Sequence, residues 1–291
     1  MVKSSCNEIH LSESSKKIWN NVIIFIQFLD DNDKTSISSF FVGTNTICEC
    51  TNGCSILGYK MNFYTNTLDT IDKSLTVECI EKARTHIDKL IGMEYIHGDI
   101  KFSNVLMNDD VDSVVLTDFD GVYNIKGNNK DCIFITPLYV NFAYLNHRLN
   151  KDGRIDIDKL MNLVFTPYAS DKAELYKTQV KTIIKVIIGD TELNNYFNYN
   201  KENLIKYSDL YSLGMCCIMN DNAEIKALGF AYLREALPIP QDKGKGKGKD
   251  IDIQRGGSLK DIPALSEDLK HFINDNKNKK MELTLETLKD K

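Results

Sequence analysis

The sequence predicts an α+β fold. Apolar side chains recur at helical spacing in several long segments, and short apolar runs bounded by Asn, Asp and Gly lie between them. At 291 residues the chain has room for one large or two modest domains. A content of 42% hydrophobic and 26% charged residues excludes a wholly disordered chain, a collagen-like repeat and a coiled coil.

The elements follow in chain order. From Glu13 to Leu29, the side chains Ile18, Val22, Phe25, Ile26 and Leu29 form one helical stripe, ended by Asp30-Asp31-Asn32-Asp33. Strand-like runs at 38–42 and 55–63 flank a Thr51-Asn52-Gly53 turn. The clearest helix carries Ile80, Ala83, Ile87, Leu90 and Ile91 on one face, with Thr76 as N-cap and Glu78 and Glu81 near its positive end. It is expected to run into Tyr95-Ile96-His97-Gly98, where the glycine breaks it. Two apolar runs, 104–107 and 113–119, then form a hairpin about Asn108-Asp109-Asp110. Tyr176, Val180, Ile183, Ile184 and Ile187 mark another helix, with Gly189 at C′. A further apolar helix follows Asp209. The alternating Lys-Gly run from Lys243 to Lys249 is a solvated linker, because no strand precedes it and no Lys-Ser or Lys-Thr follows. Beyond it Leu265, Leu269, Phe272 and Ile273 share one face of a short helix.

Charge and cysteine usage narrow the class. The net charge of −5, from 36 basic and 41 acidic residues, gives no nucleic-acid signature. From Asp242 onward there are 12 basic and 10 acidic residues, which leaves 24 and 31 for the first 241. The longest aliphatic run, Val22–Ile26, is too short for a membrane span. Eight cysteines without small-domain spacing or an export signal indicate a reducing, intracellular, cytoplasmic setting. Cys48, Cys50 and Cys54 lie close together, but their irregular spacing favours small thiols over zinc ligands. Asn and Ile supply 58 residues, a bias that fits an AT-rich genome.

The chemistry concentrates in His97-Gly98-Asp99-Ile100-Lys101-Phe102-Ser103-Asn104 and in Thr117-Asp118-Phe119-Asp120-Gly121. Phosphoryl transfer needs a carboxylate to orient and deprotonate the acceptor, oxygen ligands for magnesium, and a cation near the moving phosphoryl group. Asp99 and Lys101 lie two apart on a loop and can face one cleft. Asn104 starts one hairpin strand and Asp118 ends the other, which brings the two close enough to share metal ions.

This pattern resembles the catalytic and magnesium loops of eukaryotic-type Ser/Thr protein kinases, and the string H-G-D-I-K-x-S-N looks most like the vaccinia-related kinase branch. The resemblance implies a bilobal protein kinase-like fold, with a reduced β-rich N-lobe and a mainly α-helical C-lobe. It further implies Asp99 as catalytic base, Lys101 at the transferred phosphate, Asn104 and Asp118 as magnesium ligands, ATP and Mg²⁺ as cofactors, and a protein substrate. Thr136-Pro137-Leu138-Tyr139 resembles the segment that ends a kinase activation loop, and is preferred to Thr166-Pro167-Tyr168 because it lies 18 residues after Asp118. Ser208-Asp209-Leu210-Tyr211-Ser212-Leu213-Gly214 resembles the motif whose Asp accepts backbone hydrogen bonds from the catalytic loop.

Departures from the family pattern set the remaining expectations. No glycine-rich loop precedes Asp99. Lys3, 96 residues before Asp99, falls where the family's phosphate-binding lysine would stand, so the chain would begin inside the N-lobe. Gly98 stands where most such enzymes carry Arg, so an activation-loop phosphate would find no cation at that position. The resulting division is a partial N-lobe over 1–58, a C-lobe over 59–240 with an insertion near 145–205, and a linker and tail over 241–291. Two alternatives stay open: a pseudokinase that binds a partner, and a small-molecule kinase of the aminoglycoside phosphotransferase type, which also uses H-G-D.

Overall fold

Helices built from the second half of the chain enclose a buried core, and short antiparallel strands line the surface where the Asp99 loop emerges. The computed structural model describes residues 64–71, 75–108, 110–127, 132–149, 153–168, 171–189, 191–239 and 257–284, with four two-residue strands upstream. Those strands are β1 (Gly43–Thr44), β2 (Cys48–Glu49), β3 (Ser55–Ile56) and β4 (Lys60–Met61). β1 pairs antiparallel with β4, and β2 with β3, as two two-stranded sheets. Lys3, the stripe from Glu13 to Leu29, Cys50, Cys54 and the Lys243–Lys249 run lie outside the described residues.

β5 (Asn66–Thr67) leads to α1 (Val77–Gly92), whose N-cap Thr76 accepts a bond from the Cys79 backbone N–H. Ile80, Ala83, Ile87 and Leu90 are fully buried on its inner face, each large aliphatic side chain contributing about 2 kcal/mol of burial free energy. The helix ends earlier than its sequence suggests. Met93 N–H closes on the carbonyls of Lys89 and Leu90, and Glu94 takes φ 62°. Tyr95-Ile96 therefore leaves as strand β6 and pairs with β9 (Tyr123–Asn124). The expected hairpin is present as β7 (Val105–Met107) against β8 (Val115–Leu116), and β7 also pairs with β5. Its connection is longer than a tight turn, because Asp110 caps a 3₁₀ turn over Val111–Ser113 by accepting from the Asp112 N–H at 3.0 Å.

β10 (Cys132–Ile135) precedes Thr136, and α2 (Phe142–Leu149) follows. The stretch expected to hold an insertion carries α3 (Ile157–Phe165), α4 (Asp171–Ile188), α5 (Leu193–Tyr199) and α6 (Lys201–Lys206). Gly189 closes α4 at φ 77°. α7 (Ser208–Ile218) is buried along its whole length and packs closely on α8 (Ala223–Ala236).

The C-terminal segment is built into this body. α9 (Glu267–Asn276) buries Leu269, Phe272 and Ile273, and the Phe272 ring lies 5.8 Å from those of Tyr168 and Tyr176. Strand β11 (Met281–Thr284), absent from the sequence reading, pairs antiparallel with β10, from Cys132 opposite Thr284 to Ile135 opposite Met281. Among the described residues no helix is long and apolar enough to cross a membrane.

Candidate functional site

The loop after β6 is clamped from below. Asp209, at the start of α7, accepts from the backbone N–H groups of His97 and Gly98 at 2.6 and 2.9 Å. Burial raises its pKa, against the opposing pull of the nearby His97 and of those two bonds. His97 Nδ1 accepts weakly from the Asp99 N–H at 3.4 Å, which leaves Nε2–H to donate to the Thr117 carbonyl at 2.8 Å. The ring also packs on Phe119, with centroids 4.7 Å apart. One histidine thus joins the Asp99 loop to the Asp118 loop.

The two loops touch through their glycines. Gly98 has φ +84°, and a Cβ there would meet the Gly121 carbonyl oxygen and the Tyr144 hydroxyl, each at 2.6 Å. A Cβ on Gly121 would meet the His97 carbonyl at 2.9 Å. No Arg fits at position 98, yet a cation stands beside it. Buried Arg148 of α2 donates to the Tyr144 hydroxyl at 2.7 Å, points a longer bond at the Gly121 carbonyl, and lies 4.3 Å over the Tyr123 ring. Position 98 itself thus carries no cation, and the buried guanidinium nearby is supplied by helix α2.

Above the clamp the side chains converge on Asp99. Thr136 donates to Asp99 Oδ1 at 2.6 Å, and Lys101 Nζ donates to the Thr136 hydroxyl at 2.9 Å and lies 3.2 Å from Asp99 Oδ2. Asn104 Nδ2 bonds the Asp99 carbonyl at 2.8 Å and its Oδ2 at 3.1 Å. All four residues are buried. Thr136 is brought to the site, whereas Thr166 stands at the C-terminal end of α3 and donates to the Asn162 carbonyl.

Asp118 approaches from the hairpin. The Thr117 N–H bonds the Asn104 carbonyl at 3.0 Å, which brings the two loops side by side. Asp118 adopts φ 65°, a left-handed conformation that costs a non-glycine residue about 1 kcal/mol or more and turns its side chain off the strand. Its carboxylate bonds Lys280, the residue just before β11, and the same ammonium lies 3.7 Å from Asp99 Oδ2 and 3.9 Å from Asp120 Oδ2. Burial would raise the Asp118 pKa, but the Lys280 ammonium, with His97 and Lys101, holds it below the usual carboxylate value. Burial and the Asp118 charge raise that of Asp120. Burial works against a charged Lys280, and the three carboxylates outweigh it, so its pKa is raised.

Asp99, Lys101, Asn104 and Asp118 are thus brought to one place, while Lys3 lies outside the described residues. Sequence reasoning missed Lys280 and Arg148; the alternation of Met281-Glu282-Leu283-Thr284 after a lysine pair was the available sign of the strand that delivers Lys280. Among the described residues no three His, Cys, Asp or Glu side chains form a ready metal site. The donors are nonetheless hard oxygens suited to Mg²⁺, and a cation, the Lys280 ammonium, already stands among them. No family model and no curated protein matches this sequence.

Proposed function

We propose that this chain is a protein kinase-like phosphotransferase of bilobal design that transfers the ATP γ-phosphate to Ser or Thr hydroxyls of a protein. The observation that carries this reading is the buried Asp99–Thr136–Lys101–Asn104 arrangement, with Asp118 reaching the same point from a second loop. Asp99 is the group that orients an acceptor hydroxyl and takes its proton, since Lys101, Thr136 and Asn104 fix both of its oxygens. Lys101 is the cation nearest that carboxylate and suits charge developing on the transferred phosphoryl group. Asn104 and Asp118 would hold Mg²⁺, whose charge neutralises nucleotide phosphates. With its amide N–H₂ engaged on Asp99, the Asn104 side-chain oxygen is left to serve as a ligand.

The Lys280 ammonium on Asp118 favours a second reading, a pseudokinase that keeps the loop but binds a partner. Asp99→Asn separates the two. In an enzyme it lowers phosphate transfer to casein, or onto the chain itself, by roughly two to four powers of ten with little change in ATP affinity. Transfer at the parent rate in the variant would remove Asp99 as the base, and no transfer by the parent would leave the pseudokinase. Faster transfer to an aminoglycoside than to protein would assign the small-molecule class.

A further inference from the structure

Lys280 stands where phosphoryl transfer would have to occur, between the carboxylate read as base and the carboxylate read as metal ligand. It is delivered by a fixed backbone. Met281, the next residue, pairs with Ile135, which immediately precedes Thr136. Leu283, two residues on, is fully buried. On the other side Lys277 pairs with Asp69 at 2.8 Å, and the Lys279 ammonium lies 4.6 Å from the centre of the Tyr168 ring. The charge balance fits the docking, since the residues from Asp242 onward carry 12 basic and 10 acidic groups and the rest of the chain 24 and 31. The side chain of Lys280 itself is only half-buried, 29% exposed.

We propose that residues 277–284 are an intramolecular block, in which Lys280 takes the position of the divalent cation and must be displaced before Mg²⁺ and nucleotide phosphate can enter. This rests on the phosphotransferase reading. An ammonium in contact with Asp118 and a divalent ion on the same oxygens repel one another and compete for the same lone pairs, so their occupancies exclude each other. The coupling is reciprocal: whatever Lys280 takes from the affinity for metal and nucleotide, bound metal and nucleotide take from the docking of β11.

The test uses the full chain and Mg·ADP as probe. Lys280→Met keeps the aliphatic stem and removes the charge, and Lys280→Arg keeps the charge. Calorimetry should show Mg·ADP binding about tenfold tighter in the Met variant than in the parent, a difference of about 1.4 kcal/mol, with the Arg variant like the parent. In the parent, Mg·ADP should speed hydrogen exchange at the amides of 281–284; in the Met variant that acceleration should be smaller. Equal affinity in parent and Met variant would overturn the block alone. Weaker binding in the Met variant would also overturn it, by making Lys280 a ligand of the phosphates. If neither protein binds Mg·ADP, the phosphotransferase reading fails and the block with it.

Discussion

Asp99 and Asp118 are carboxylates of the same short stretch of chain, yet they are held in opposite ways. Asp99 is enclosed by groups that its own loop and the segment ending at Thr136 supply, and the loop is fastened from below by Asp209. Asp118 leans out of a hairpin in a left-handed conformation, and its strongest partner is a half-buried lysine 162 residues away in sequence. The Asp99 side is preorganised by buried hydrogen bonds. The Asp118 side is charge-compensated by the Lys280 ammonium. In a site built this way one carboxylate is fixed by its own surroundings, while the other depends on a single distant charge.

The largest expected effect breaks the Asp99 side. Asp209→Ala leaves two buried backbone N–H groups without their acceptor, at about 1–3 kcal/mol each. Denaturant midpoints should report a loss of roughly 3 kcal/mol or more, and any phosphate transfer should fall with it. Asp209→Asn, which keeps one acceptor oxygen, should lose less. Equal stability of the Ala variant and the parent would show that the clamp does not set the loop.

Legibility in the sequence follows the same division. Helix α1 with its Thr76 cap, the Gly189 stop and the β7–β8 hairpin were readable because local spacing and capping determine them. The convergence of Asp99, Lys101, Asn104, Thr136 and Asp209 was expected from a resemblance in their spacing, and the hydrogen bonds bring them together. Local pattern misled at Tyr95-Ile96, where a chain reversal at Glu94 and pairing with β9 override a continuing helical stripe. Lys280 was not read because its partner Asp118 lies 162 residues away in sequence, and Arg148 because the rings and carbonyl it meets are gathered only by the fold. A four-residue strand in a lysine-rich stretch carries too little periodicity to announce its partner.

A smaller effect probes the contact between the two sides. Gly98→Ala forces a side chain onto a positive φ and within 2.6 Å of the Gly121 carbonyl oxygen. Either loop must shift, and the loss should be about 2 kcal/mol, from left-handed strain plus overpacking. Because Gly121 follows Asp118 by three residues, the shift should reach the Asp118–Lys280 pair as well as Asp99. Hydrogen exchange faster at both 97–104 and 117–123 is the expected pattern. Faster exchange confined to 97–104 would mean that the two loops are mechanically separate.

The smallest effect concerns pH and belongs to the Asp118 side. His86 of α1 is 1% exposed and hydrogen-bonds the Val114 carbonyl at 2.8 Å, which ties the helix to the hairpin that carries Asp118. Burial lowers its pKa from 6.5 to about 4. The unfolded chain therefore takes this proton first, and the contribution of neutral His86, full above pH 6.5, is lost as pH falls toward 4. Between pH 7 and pH 5 the loss should be about 2 kcal/mol. Asp209 acts in the opposite sense, since burial raises its pKa and the folded state takes its proton first. Mild acid should thus loosen the hairpin before it loosens the Asp99 loop. Urea midpoints at the two pH values should show a smaller acid loss for His86→Gln, which keeps a donor for Val114 without a titrating ring, than for the parent. An equal loss in both proteins would move the acid sensitivity away from His86.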